Sequence, residues 1–197
     1  MSESANTLAT RKVTRAHRIT VCAQKLTDQY GFDGFTMDEL AEAAGVSRRT
    51  LFNYFPGKLD AVLAMNLSLD QDVIDTFVAG GPGGQLIDDL HELVKHVISI
   101  KEFSAQEAQV ARRIIKSDSR LLSAVHERFE SVTQDFTDRI LTREGASFGA
   151  RRAKVLVTIL ACLYDVALSE VLDDPSGNRE LHQAYAVALD DVRALFG

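Results

Sequence analysis

The sequence contains no tryptophan, three prolines and two cysteines among its 197 residues. Two widely separated cysteines, Cys22 and Cys162, cannot build a disulfide framework or a four-cysteine metal site. Both fall inside apolar helical patterns, where buried reduced thiols are expected. So few prolines exclude collagen-like and proline-rich classes and leave room for long helices. Long hydrophobic runs are missing too. The longest near-apolar stretch, residues 155–163, is nine residues with Thr158 inside it, against about 18–20 for a membrane helix. No segment is therefore expected to cross a bilayer, and no membrane partner is expected. The polar first twelve residues lack the apolar stretch of a signal peptide, which points to the cytoplasm.

What is present is ordinary for a folded protein: 46% hydrophobic and 25% charged residues. The length suits one mid-sized domain, or a small domain joined to a larger one. Charge separates the two. Residues 1–58 carry 8 Lys+Arg against 6 Asp+Glu, and residues 59–197 carry 14 against 22, within an overall −6. No acid lies between Glu3 and Asp28, where Arg11, Lys12, Arg15, Arg18 and Lys25 fall. A second acid-free window, between Glu42 and Asp60, holds Arg48, Arg49 and Lys58. A basic head on an acidic body suits a polyanionic partner for the head alone.

Apolar residues recur at helical period almost throughout, and sustained two-residue alternation is absent, so the fold class is all-α. Residues 1–13 read as a flexible basic arm. Ala16, Ile19, Ala23, Leu26 and Tyr30 mark a first helix, with Thr14 as its cap and Gly31 as its stop. Thr36-Met37-Asp38-Glu39 is a capping-box pattern opening a second helix that stops at Gly45. Ser47 caps a third, which Pro56-Gly57 ends near Phe55. A fourth is expected from Lys58 to Ala79, then a flexible connector at Gly80-Gly81-Pro82-Gly83-Gly84. That glycine run has no Lys-Ser/Thr continuation and no preceding strand, so it is not a phosphate loop. Further helices are expected near 85–103, 105–116, 119–143, 148–172 and 178–196.

Residues 36–55 thus form helix, tight turn and helix, supported by the helix at 14–30. This is the arrangement of a helix-turn-helix DNA reader, whose second helix enters the major groove. Val46, Leu51 and Phe55 would root that helix. Arg48, Arg49 and Asn53 would face base edges, because arginine suits guanine and asparagine suits adenine. Thr36, Ser47, Thr50, Tyr54 and Lys58 would grip phosphates.

The string from Phe35 through Ala41, Gly45, Val46 and Ser47 to Thr50-Leu51-Phe52-Asn53-Tyr54-Phe55-Pro56-Gly57-Lys58 resembles the N-terminal signature of TetR-family (tetracycline-repressor-like) regulators. The resemblance covers about residues 14–65. It departs at Arg49, where family members often carry a small residue or proline, and at Phe52, where many carry tyrosine. It implies a DNA-binding domain over 14–58 and a larger helical domain over 59–197 for effector binding and dimerisation. The implied function is a homodimeric repressor on double-stranded DNA, at a palindromic operator, released by a small-molecule effector. The alternative is an activator or DNA-organising protein of the same fold that senses no effector.

The resemblance also implies pairing of the last two helices with a second copy. Residues 155–163 are apolar nearly all round, so more than one face needs cover. Leu156, Ile159, Leu160, Leu163, Tyr185, Leu189 and Val192 are the expected interface residues. In a family-like body the effector pocket would draw on Phe77, His96, Phe103, Arg113, Phe129 and Phe136.

Catalytic and metal readings fail on geometry. His91 and His96 stand five residues apart, about 140° around a helix, where a zinc-binding pair needs four. The acid pairs Asp72/Asp75 and Asp88/Asp89 read as solvated faces. No enzyme, cofactor or metal site is expected.

Overall fold

A computed structural model of the chain describes residues 2–64, 69–100, 104–174 and 179–196, with side chains from Val13 onward except those of residues 100 and 196. Among them are ten α-helices, one short 3-10 turn and no strand. They fall into two units: a head of Met1–Ser68 with Gln106–Arg128, and a body of Leu69–Ala105 with Phe129–Gly197.

The head contains α1 (Ser2–Tyr30), α2 (Met37–Ala43), α3 (Arg48–Tyr54), α4 (Lys58–Leu63), α7 (Ala105–Ser117) and the start of α8 (Ser119–Glu144). The body contains α5 (Gln71–Val78), α6 (Leu86–Ile100), the rest of α8, α9 (Ala150–Asp173) and α10 (Leu181–Phe196). The first helix starts at Ser2, so the expected arm over 1–13 is helical; no glycine or proline there interrupts it. The expected helix over 58–79 is divided. Its first part closes at Ala64, whose φ of 53° is left-handed, and α5 restarts behind Asp70, which accepts from the Asp72 N–H at 3.1 Å.

The head core gathers Ile19 and Ala23 from α1, Leu40 and Ala44 from α2, Leu51 and Phe55 around α3, Val62 from α4, and Ile114 and Leu121. Gln24 ties α1 to α4 by donating to the Val62 carbonyl at 3.0 Å. Residues 106–128 therefore belong with the basic segment, although sequence division at 58/59 assigned them to the body.

The body core joins Phe77, Leu90, Leu93, Ile140, Ala153, Leu160, Leu163, Tyr185 and Leu189. The Tyr185 ring stacks on His91 at 5.5 Å, and burial pushes its phenol up to about 12. By length and composition α9 is apolar enough to cross a bilayer, which a count of uninterrupted apolar residues did not reveal. One side of it, through Ala153, Leu160, Leu163, Ala167 and Leu172, is buried in the body. The two cysteines differ from expectation: Cys162 is exposed and Cys22 is half-buried.

The connector at residues 80–84 is pinned rather than free. The Asp89 carboxylate accepts from the Gly83 and Gly84 N–H groups, and Arg143 meets it at 2.6 Å. Arg143 also donates to the carbonyls of Phe77, Gly80 and Gly81 and lies over the Phe77 ring. Both side chains are buried, Arg143 at 3% and Asp89 at 1% exposure. Burial alone would raise the Asp89 carboxyl, but the guanidinium and the two backbone donors hold it below its usual range. Reading Asp88/Asp89 as one solvated face was thus half right, since Asp88 is exposed and Asp89 is not. Asp89 shares the stripe of Leu86, Leu90 and Leu93, so the signal was an acid on an apolar helix face.

Candidate nucleic-acid interface

The helix-turn-helix is built by local chemistry. Thr36 accepts from the Glu39 N–H at 3.2 Å, and its own N–H donates to the Glu39 carboxylate at 2.7 Å, a complete capping box. The Thr36 N–H and hydroxyl hold the Glu39 carboxyl below its ordinary range. At the far end Gly45 has φ of 63°, a left-handed turn that a side chain would strain. Its N–H donates to Glu42, and that of Val46 to Ala41, which closes α2 in a Schellman motif. Ser47 then caps α3 by accepting from the Thr50 N–H at 3.1 Å.

Helix α3 is rooted by Leu51 and followed by Phe55, both fully buried, while Val46 and Tyr54 are half-buried against the same core. Its open side carries Arg48, Arg49, Phe52 and Asn53, all exposed. Arg49 and Asn53 make no side-chain hydrogen bond or ion pair among the described residues, so their donors are available to base edges. Arg48 is held differently. It donates to Asp38 at 3.0 Å and lies 5.6 Å from the Phe52 ring centroid.

The expected phosphate contacts divide. The Ser47 and Thr50 hydroxyls share a hydrogen bond of 2.8 Å, and Ser47 remains exposed. Thr36 spends its hydroxyl on Glu39. Lys58 is turned inward: its ammonium donates to the carbonyls of Phe32 (2.8 Å) and Phe35 and sits over both rings. Lys58, expected at a phosphate, thus has a structural role within the head. The half-buried Lys58 ammonium supplies donors to two carbonyls of the 31–35 turn. Arg120 covers the other contact of this turn, lying 4.9 Å from the Phe32 ring and pairing with Asp33 at 2.9 Å.

Known transcriptional regulators share this head. The family model described as bacterial regulatory proteins, tetR family, matches residues 19–65. The head is thus similar to the DNA-binding domain of TetR-family regulators. Over 48 residues it is 42% identical to the mycofactocin biosynthesis transcriptional regulator MftR of Mycobacterium tuberculosis, a match spanning 24% of each protein. Over 153 residues it is 25% identical to the transcriptional activator FasR of Mycolicibacterium smegmatis, covering 76% of this chain and 68% of FasR. A solved TetR-family transcriptional regulator from Mesorhizobium loti superposes with a TM-score of 0.52 at 18% identity, over 95% of this chain and 98% of the other. TetR-family proteins are transcriptional regulators and not enzymes, and the all-α architecture of a helix-turn-helix head with a larger helical body is theirs.

The remaining expected residues scatter. Among the six named for an effector pocket, Phe77 and His96 line one cleft of about 300 Å³ with Val73, Pro82 and Leu93. Phe136 is half-buried in the body core, and Phe129 is 39% exposed. Arg113 sits in the head, where it pairs in bidentate fashion with Asp28. Phe103 lies outside the described residues. Of the expected interface residues, Leu160, Leu163, Tyr185 and Leu189 are buried within the body itself. Leu156 and Val192 are half-buried, and Ile159 is exposed. Periodicity found the apolar helices but could not say which of their faces the chain covers internally. The uncovered one runs through Val155, Ile159, Cys162 and Val166 on α9, with Val187 and Leu195 on α10.

Proposed function

We propose that this chain is a homodimeric, effector-responsive transcriptional repressor of the TetR family, acting in the cytoplasm on a palindromic operator. The observation that carries the reading is the open side of α3. It presents Arg48, Arg49 and Asn53 to solvent on a helix rooted by Leu51 and Phe55. Arginine and asparagine supply the donor patterns that guanine and adenine edges accept in the major groove.

Dimerisation is supported by the uncovered apolar side of α9. Val155, Ile159, Cys162 and Val166 recur at steps of four, three and four residues, and Val155 is 51% exposed. A second copy related by a two-fold axis would bury that side in both chains. Two heads on two half-sites then sum their binding energies, which one small head needs in order to be selective. For an effector, the cleft at Phe77 and His96 offers one place.

The test is a fluorescence-anisotropy titration onto DNA from upstream of the chain's own gene, with scrambled DNA as competitor. Two chains per site, bound about a thousandfold tighter than scrambled DNA, are expected. Binding indifferent to sequence would sink the reading. A second reading, transcriptional activation, draws on the 153-residue match to a protein named as an activator. A promoter reporter separates the two: deletion of the gene raises expression under repression and lowers it under activation.

A further inference from the structure

We infer that Asp38, Arg48 and Phe52 form a preset reading unit that selects a guanine with a thymine within two base pairs of it, Asp38 being a positioning residue for the Arg48 guanidinium. The inference rests on the DNA-binding reading above. Arg48 opens α3, and Phe52 stands one turn later on the same side. The Asp38 carboxylate holds Arg48 at 3.0 Å from one direction, and the Phe52 ring lies 5.6 Å from its guanidinium carbon in another. An arginine has five donors, so a single bond to Asp38 leaves enough for the O6 and N7 acceptors of guanine. Held on two sides, the guanidinium has less freedom to lose on binding than the unattached Arg49.

Phe52 needs its own explanation. A ring 41% exposed adds little to the head, because Leu51 and Phe55 already root α3. On the reading side of the helix its apolar counterpart is the thymine C5-methyl group, which lies in the major groove. The four residues from Arg48 to Phe52 rise about 6 Å along the helix, against about 3.4 Å per base step, so the two side chains reach base pairs within two steps of each other. Asp38 also cancels a charge: an unpaired carboxylate at this surface would repel the DNA backbone, and pairing with Arg48 neutralises it.

The experiment starts from a site selected by the wild-type protein from random DNA and reads affinity by anisotropy. Each thymine is replaced in turn by deoxyuridine, which removes only the methyl group. One replacement per half-site is expected to weaken the wild type about fourfold, the worth of one buried carbon. The same replacement should cost Phe52→Ala nothing. Replacing the guanine within two base pairs of that thymine by 7-deazaguanine, which lacks the N7 acceptor, should weaken the wild type about tenfold. That penalty should shrink in Asp38→Asn and return in Asp38→Glu. Meanwhile Asp38→Asn should bind scrambled DNA as well as the wild type or better, whereas a merely structural lesion would weaken all binding. Both altered residues are exposed, and a melting curve of each variant verifies that the head is folded. A flat uridine scan, a methyl penalty that survives in Phe52→Ala, or full guanine discrimination in Asp38→Asn each overturns the inference while leaving DNA binding intact. Failure to select any site overturns the DNA-binding reading itself, and this inference with it.

Discussion

The head and the body of this protein differ in where they bury charge. In the head most ion pairs are exposed: Arg48 with Asp38, Arg113 with Asp28, and Arg120 with Asp33 and Asp118. Such pairs orient side chains and contribute little net stability each. The body has exposed pairs too, such as Arg139 with Asp135 and Arg179 with Glu170, but among the described residues it also buries Arg143 with Asp89, surrounded by the carbonyls and N–H groups of the glycine-rich turn. A buried pair is costly to break because removing one partner strands a charge away from water. Charge thus holds a buried turn in the body, while the head's pairs among the described residues stay at or near the surface. Apolar surface shows a similar contrast, since Leu51 and Phe55 at α3 are fully buried while α9 leaves a whole side uncovered.

The contrast breaks most sharply at Asp89. Asp89→Ala should destabilise the body by about 3–5 kcal/mol, read by chemical denaturation, because Arg143 is left charged and buried. Loss of less than about 1 kcal/mol would mean that water reaches the pair and that the body is no different from the head. Next in size is Lys58→Ala, expected to cost about 1–3 kcal/mol of head stability through the orphaned carbonyls of Phe32 and Phe35. Arg49→Ala is its counterpart: melting should be unchanged, while discrimination between operator and scrambled DNA falls by about 1–3 kcal/mol. If Lys58→Ala weakened DNA binding with no change in melting, the head's two kinds of cation would not be distinct.

The smallest expected effect is acidic. Hydrogen bonds from Arg113 and Arg120 hold the carboxyls of Asp28, Asp33 and Asp118 below their usual range, Asp118 at about 2. A carboxyl whose folded value lies below its unfolded value stabilises the fold fully above about pH 4 and stops doing so as pH falls toward 2. Circular dichroism across that window should show Arg120→Gln with a shallower acid dependence than the wild type. Added salt should narrow the gap, because these groups are exposed.

Legibility also divided between the two regions. Thr36 with Glu39, Gly45, Ser47 and the Pro56-Gly57 stop each act within a few residues of themselves, so the helix-turn-helix could be read directly from residue types and spacing. The inward turn of Lys58 could not, since its acceptors at Phe32 and Phe35 lie more than twenty residues away. Asp89 and Arg143, 54 positions apart, were invisible as a pair for the same reason. Likewise Arg113 looked like a body residue until its partner proved to be Asp28.

By itself the sequence determined the helical period, the caps and stops of α2 and α3, and the residues offered on the reading helix, because these follow from interactions within one or two turns. Only the tertiary structure decided which apolar face of α9 and α10 is core, which cations are spent inside the protein, and that residues 106–128 belong to the head. Those outcomes depend on which distant segments meet, and a one-dimensional pattern records an apolar or charged side chain without recording what it will touch.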